Sequence, residues 1–293
     1  MSGEVCVLKD RGVIRLEGAD TAGFLQRLIT NSVLDIAGGE ARYSALLSPQ
    51  GKLLFDFFVV PLPKSAGAGF LFDCVKVQAG DLVKRLNLHK MRARIAIDDL
   101  SERLGVAAVL AGNPPEIAES ISYSDPRTAG MGLRLIAPRE ALAQLPDAGE
   151  AVYEAHRVSH GVPEGGIDFS YGDAFVHDAN IDWLNGVDFK KGCYVGQEVV
   201  ARVHFRNSAR KRIVKVHFEG AAPPSSGTPV MAGAVSLGPI GSVAGADGLA
   251  MLRLDRLEEA RAAGAELRAG EAVVTVELPA ESAQAAVGVE KQH

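Results

Sequence analysis

The tetrad Ser48-Pro49-Gln50-Gly51 separates two apolar, aromatic-rich runs, residues 43–47 and 53–60. Proline in second place and glycine in fourth suit a tight turn, so the two runs must pair antiparallel as a hairpin. That pairing constrains everything around it. Residues 13–17 alternate like a half-buried strand. Gly18 breaks the run, and Asp20 is placed to cap a helix whose Phe24, Leu25, Leu28 and Ile29 share one face. Residues 70–75 read as a further strand, followed by a helical stripe of Leu82, Val83, Leu86 and Leu88 and a strand at 94–97. Strand, helix, hairpin, strand, helix, strand is an α+β pattern, not an open parallel sheet.

A second α+β passage follows, with strands expected at 106–110 and 133–137 and short helices at 115–120, 138–145 and 150–160. Beyond Arg206 the texture changes. Short apolar runs at 213–218, 235–243, 249–254 and 273–278 are divided by glycine- and proline-rich turns, with Gly238-Pro239-Ile240-Gly241 read as one of those turns. This predicts a small antiparallel barrel or sandwich, interrupted by a helix near 256–262. Three regions result: 1–205, 206–280 as the barrel, and an aperiodic tail at 281–293 expected to be disordered.

Composition narrows the function classes. A net charge of −5 over 293 residues gives no whole-molecule attraction to nucleic acid or acidic membranes. No apolar run is long enough to cross a bilayer. The three cysteines, Cys6, Cys74 and Cys193, are widely spaced. They read as a reducing compartment and are too few for a permanently held four-cysteine cluster. Residues 1–10 carry no apolar signal core, so a cytoplasmic location is expected. His156 and His160 stand at i,i+4, but no third ligand accompanies them and no metal site is expected.

The segment Lys190-Lys191-Gly192-Cys193-Tyr194-Val195-Gly196-Gln197-Glu198 concentrates chemistry around one cysteine. Glycines permit close backbone approach to a ligand, while cationic neighbours and a following helix N-terminus favour thiolate. A glycine-punctuated turn with an incidental cysteine is the plainer alternative. The run Arg202, Arg206, Arg210, Lys211, Arg212, with His204 and Phe205 interleaved, reads either as an anion- or RNA-binding patch or as a solvated face.

Lys-Gly-Cys-Tyr-Val-Gly-Gln-Glu, continuing into Val199-Val200-Ala201-Arg202, resembles the signature of the YgfZ-type folate-binding proteins. These are relatives of the aminomethyltransferase (T-protein) of the glycine cleavage system and are implicated in iron–sulfur cluster maintenance. The likeness extends to residues 24–31 with their Thr30-Asn31 exit, to the 43–52 hairpin, and to His156-Arg157-Val158 with Gly161-Val162-Pro163-Glu164. It implies a T-protein-like ring of three subdomains around a folate channel, with tetrahydrofolate or a derivative as cofactor. It also implies iron–sulfur enzymes or cluster-assembly proteins as partners.

Val176-His177-Asp178-Ala179-Asn180-Ile181 resembles the family's Pro-x-Glu-Ala-Asn-Leu, which assigns Asp178 to the pterin edge. Val176 replaces the proline, and Asp178 is one methylene shorter than glutamate; capping of a helix at 179–184 is its alternative role. Trp183 is expected to line the pocket and Arg202 to meet the anionic tail, with Lys191, Gly192, Gln197 and Glu198 contributing from the motif and Cys193 as the reactive thiol. The reading is a tetrahydrofolate-binding accessory factor in iron–sulfur cluster assembly or repair, more an accessory protein than a classical enzyme. A folate-dependent aminomethyltransferase, for which Phe55-Asp56 lacks the transferases' second aspartate, and an RNA-binding or tRNA-modification regulator are the alternatives.

Overall fold

The hairpin forms where the turn chemistry puts it. In the computed structural model, which describes residues 4–63, 67–206 and 208–278, the Ser48 amide donates to Lys52 O at 2.8 Å and the Gly51 amide to Ser48 O at 2.9 Å. Gly51 takes φ 79°, a left-handed value natural to glycine. The chain divides into two units, Met1–His156 with Ile181–Gln197, and Arg157–Asn180 with Glu198–His293.

The first unit contains β1 (Glu4–Leu8), β2 (Arg11–Glu17), β3 (Arg42–Leu47), β4 (Leu53–Pro61), β5 (Gly69–Val75), β6 (Ala96–Asp99), β7 (Leu104–Ala111), β8 (Ile121–Ser124) and β9 (Leu133–Pro138). Its helices are α1 (Thr21–Gln26), α2 (Ala79–Lys90) and α3 (Arg139–Leu142), and α4 (Glu150–Ser159) begins in it. A five-stranded sheet runs β3-β4-β5-β2-β6 and a four-stranded sheet β1-β7-β9-β8. Every pairing in both is antiparallel. The α+β expectation holds.

Ile14, Leu16, Phe57, Phe72, Leu82 and Leu86 build the main core, with the Phe57 and Phe72 rings stacked at 4.2 Å. The Phe24, Leu25, Leu28 and Ile29 face is buried as expected, but the helix stops at Gln26. The Thr30 amide is already bonded to Ala45 O, which draws the exit into the sheet. Asp20 stands before α1 without capping it; its carboxylate accepts the Arg94 amide at 2.8 Å. Residues 115–120 are irregular apart from a turn at 118–119, and 179–184 are turns, so neither segment is a helix. Strands β1 and β8 were not foreseen: each is only four or five residues long and is held by pairing with another strand, β7 and β9 respectively.

The two sheets of this unit share a buried ionic network. Asp73, with no exposure, accepts from Arg11 Nε at 2.6 Å, Arg134 Nε at 2.8 Å and the Tyr123 hydroxyl at 2.8 Å. Asp125 receives a two-pronged bond from Arg127, at 3.0 and 2.7 Å. Arg127 and Arg134 both donate to the Tyr153 hydroxyl at 3.1 Å. The Phe58 ring packs among the three guanidinium groups, the nearest 4.4 Å from its centroid. Burial alone would raise the Asp73 carboxyl, and Arg11 and Arg134 reverse this, leaving it below its ordinary value.

In the second unit β10 (Lys211–Glu219), β11 (Pro229–Ala232), β12 (Val235–Ala244), β13 (Asp247–Arg253), β14 (Leu267–Ala269) and β15 (Ala272–Glu277) close into a barrel, in the order β10-β13-β12-β11-β14-β15. Closure through β10 and β15 removes free edges. Val214, Val216, Phe218, Val230 and Leu252 fill the interior. Helix α5 (Gln197–Phe205) precedes the barrel in sequence, and α6 (Leu254–Ala262) interrupts it between β13 and β14. Gly238-Pro239 lies inside β12, not at a turn, beside a register shift against β11. The disorder expected at 281–293 falls outside the described residues.

Asp73→Asn leaves the Arg11 guanidinium without its counter-ion and Arg134 with only Asp125, at 3.6 Å, and urea unfolding should show a loss of about 3–5 kcal/mol. A depressed carboxyl stabilises the fold above its unfolded value of about 3.9, and that contribution is lost as pH falls through the lower folded value. The variant should therefore lose part of the acid dependence of stability that the parent shows below about pH 4.

Candidate functional site

Cys193 is exposed, whereas Cys6 and Cys74 are buried. Burial pushes the Cys74 thiol up to about 12, with Arg11 opposing, and burial followed by Asp147 raises Cys6. Both are inert structural thiols at neutral pH.

The loop that carries Cys193 is tied down on each side. The Asp188 amide donates to Thr30 O at 3.1 Å. Lys191, only 8% exposed, sends its ammonium to Ile29 O and Asn31 O, each at 2.6 Å, and lies 5.4 Å from the Tyr194 ring centre. Asn31 in turn donates to Tyr43 O and Asn185 O, and Thr30 to Gly186 O. The Thr30-Asn31 exit of α1 thus joins the hairpin to the loop. Desolvation lowers Lys191 to about 8, with Asp188 opposing. Tyr194 is buried, and burial and then Asp188 raise its phenol.

The two motif glycines differ. Gly192 has open space where a Cβ would stand. Gly196 takes φ 83°, and a Cβ there would meet Ser48 O at 2.7 Å and Leu47 Cβ at 3.0 Å. Gly196 is the glycine the fold requires, seating the loop against the hairpin turn. Gln197 and the exposed Glu198 open α5, where a carboxylate suits the helix dipole. Trp183 is half-buried in the same unit.

The remaining expected residues lie in the second unit. Asp178 is half-buried, and its Oδ2 accepts the Phe175 amide at 3.0 Å, a local turn bond. Asn180, 4% exposed with φ 56°, donates to Ile213 O at 2.6 Å, and its Oδ1 has no hydrogen-bond partner. Arg202 is exposed on α5, with Arg206, Arg210 and Lys211 also exposed. Arg212 departs from the basic run: it is 5% exposed and donates to His177 O at 2.9 Å. Asp56, in the first unit, accepts the Tyr43 hydroxyl at 2.8 Å. His156 meets Gly130 O, and among the described residues no His, Cys, Asp and Glu group could hold a metal.

Sequence reasoning noticed Arg157 and Glu164 only as motif letters and missed their partners. Arg157, 1% exposed, donates to Asp168 at 3.1 Å, Ser242 Oγ at 2.6 Å and Val162 O at 3.1 Å, and pairs with Glu164. Asp168 also accepts the Ser242 amide at 2.7 Å. The network binds residues 157–168 to β12. An arginine and two carboxylates within twelve residues were the available signal, but Ser242 lies too far along the chain to be connected with them.

Residues 210–284 match the family model described as CAF17, C-terminal beta-barrel domain. The iron-sulfur cluster assembly factor IBA57, mitochondrial, of Homo sapiens is 35% identical over 86% of this chain and 78% of its own length. The chain belongs to the IBA57 family. Homologues from Mycosarcoma maydis and Coccidioides immitis are each 34% identical, over 74% and 76% of this chain. The chain spans only 58% and 60% of those two fungal members. The crystal structure of the glycine cleavage system aminomethyltransferase T from Bartonella henselae superposes with a TM-score of 0.74 over 94% of this chain and 85% of that one. At 16% identity it establishes the shared fold.

These IBA57 relatives correct the cytoplasmic expectation, since each is described as mitochondrial. Cysteine usage reports a reducing environment and not a particular compartment, and the composition of residues 1–10 describes those residues alone.

Two outcomes test the loop. Gly196→Ala, forced into a left-handed φ against Ser48 O, should lose stability by about 1–3 kcal/mol in thermal or urea unfolding. For Lys191, the folded state binds fewer protons than the unfolded one between about 8 and about 10.4, so its contribution to stability rises with pH across that window. Lys191→Met should abolish that rise while leaving two buried carbonyls without a donor.

Proposed function

We propose that this chain is an iron–sulfur cluster assembly factor that acts through the Cys193 thiol and binds a tetrahydrofolate-type cofactor. The observation that carries the proposal is the contrast among its three cysteines: one exposed on an anchored loop, two buried and inert. The family names supply the process. A single thiol cannot cage a cluster, so any cluster would be substrate or cargo shared with a partner protein.

Support for a folate is chemical. The buried Asn180 Oδ1 is an acceptor awaiting a donor, and an unfilled acceptor of that kind is costly unless water or a ligand meets it. Asp178 would accept from the pterin edge and Arg202 would attract the glutamate tail. Such a cofactor would supply secondary amines able to take up a one-carbon unit.

The aminomethyltransferase alternative is weaker because Asp56, its candidate carboxylate, is bonded to the Tyr43 phenol. The RNA alternative loses Arg212, which is turned inward.

Cys193→Ala should bind tetrahydrofolate by calorimetry as the parent does, yet fail to restore iron–sulfur enzyme activity in a strain lacking its own family member. Full restoration would remove the thiol from the mechanism. Asp178→Ala should weaken folate binding by about tenfold, the loss of one charge-assisted pair.

A further inference from the structure

A groove of about 700 Å³ lies in the first unit between α1 and the C-terminal turn of α2. Phe24, Leu28 and Val195 contribute apolar surface, and Arg27, Lys90 and Arg92 contribute charge. Asp20 is the single carboxylate on its lining, and it is already bonded to Arg94. Among the described residues no acidic side chain forms a salt bridge with Arg27, Lys90 or Arg92, although the charge of Arg27 acts on Asp20. His89 is also on the lining, and partial burial and then Arg85 lower its pKa. A chain of net charge −5 therefore gathers unpaired positive charge around one apolar slot.

Met91 stands at the lip, 90% exposed, and Leu88 on α2 is 74% exposed. The Met91 backbone takes φ 48° and ψ −110°, a conformation that non-glycine residues avoid and that proteins retain chiefly at working sites. Methionine is also the side chain best suited to moulding itself around a partner. Val195 on the lining is two residues from Cys193, so the groove borders the thiol loop by no more than about 7 Å of chain.

We propose that this groove is the docking site for an acidic, apolar-tipped segment of a partner protein, which it holds beside Cys193. Charge complementarity selects the acidic segment, and the apolar surface with Met91 selects a hydrophobic anchor within it. RNA fits less well: the lining carries no tyrosine or tryptophan on which a base could stack. The inference leans on the proposed function only for the role of Cys193; the groove and its charges stand without any folate.

The test uses the full chain and a fluorescein-labelled synthetic peptide of aspartate and glutamate residues flanking a central Leu-Leu. Its lysine counterpart and a single-stranded RNA of similar length serve as comparators, all read by fluorescence anisotropy across a salt series. The acidic peptide should bind, weaken with salt, and lose more than about tenfold in affinity to the double variant Arg27→Glu, Arg92→Glu, because charges of like sign would then face each other. Met91→Ser should weaken it at every salt concentration. A peptide carrying a bromoacetyl group beside its leucines should alkylate Cys193 with loss of bromide, and the double variant should suppress that reaction. Unfolding midpoints matching the parent verify that the exposed substitutions leave the fold intact. Equal binding by the double variant would overturn the proposal, as would tighter binding of the RNA through the same residues. Folate calorimetry on the same double variant separates the two proposals, since loss of peptide binding should leave folate binding unchanged.

Discussion

The ammonium of Lys191 is taken out of water and bonded to the carbonyls of Ile29 and Asn31, and the candidate chemistry depends on that attachment. A buried lysine is expensive to charge, which is why its pKa falls to about 8, and such a group persists only where its hydrogen bonds are met. The carbonyls it meets belong to the exit of α1, whose Thr30 and Asn31 also bond the hairpin and the 185–186 turn. Gly196 then presses the far side of the loop onto Ser48. Cys193 is held between those two attachments, so its exposure is a property of an anchored segment and not of a frayed one.

The same unit contains a second polar commitment in Asp73, Asp125 and their three arginines. Buried ion pairs of this kind add little net stability over apolar packing, yet removing one member is costly. Their value here is geometric. Arg11 from β2 and Arg134 from β9 converge on one carboxylate of β5, so the two sheets have one register in which every charge is paired. The barrel unit uses the same device on a smaller scale through Arg157, Asp168 and Ser242.

Much of the fold was legible in the sequence because it follows from local rules. The Ser48–Gly51 turn, the long strands beside it, the α2 stripe and the barrel runs each carry their own signal within a dozen residues. What was not legible depends on distant partners. Strands β8, β11 and β14 are three or four residues long and exist because a neighbour pairs with them. Asp20 resembles a cap and serves Arg94 instead. At the site, the motif identified Cys193 and its neighbours, but not that Lys191 faces protein carbonyls or that Gly196, and not Gly192, is sterically required. Asn180 and Ser242 acquire meaning only from atoms brought to them by the fold.

The central claim is that one thiol of three is presented on an anchored loop. Native-state alkylation with iodoacetamide, followed by peptide mapping, measures it directly. The account predicts rapid modification of Cys193 while Cys6 and Cys74 stay protected until the chain is unfolded. Modification of Cys193 no faster than of the two buried cysteines would contradict it.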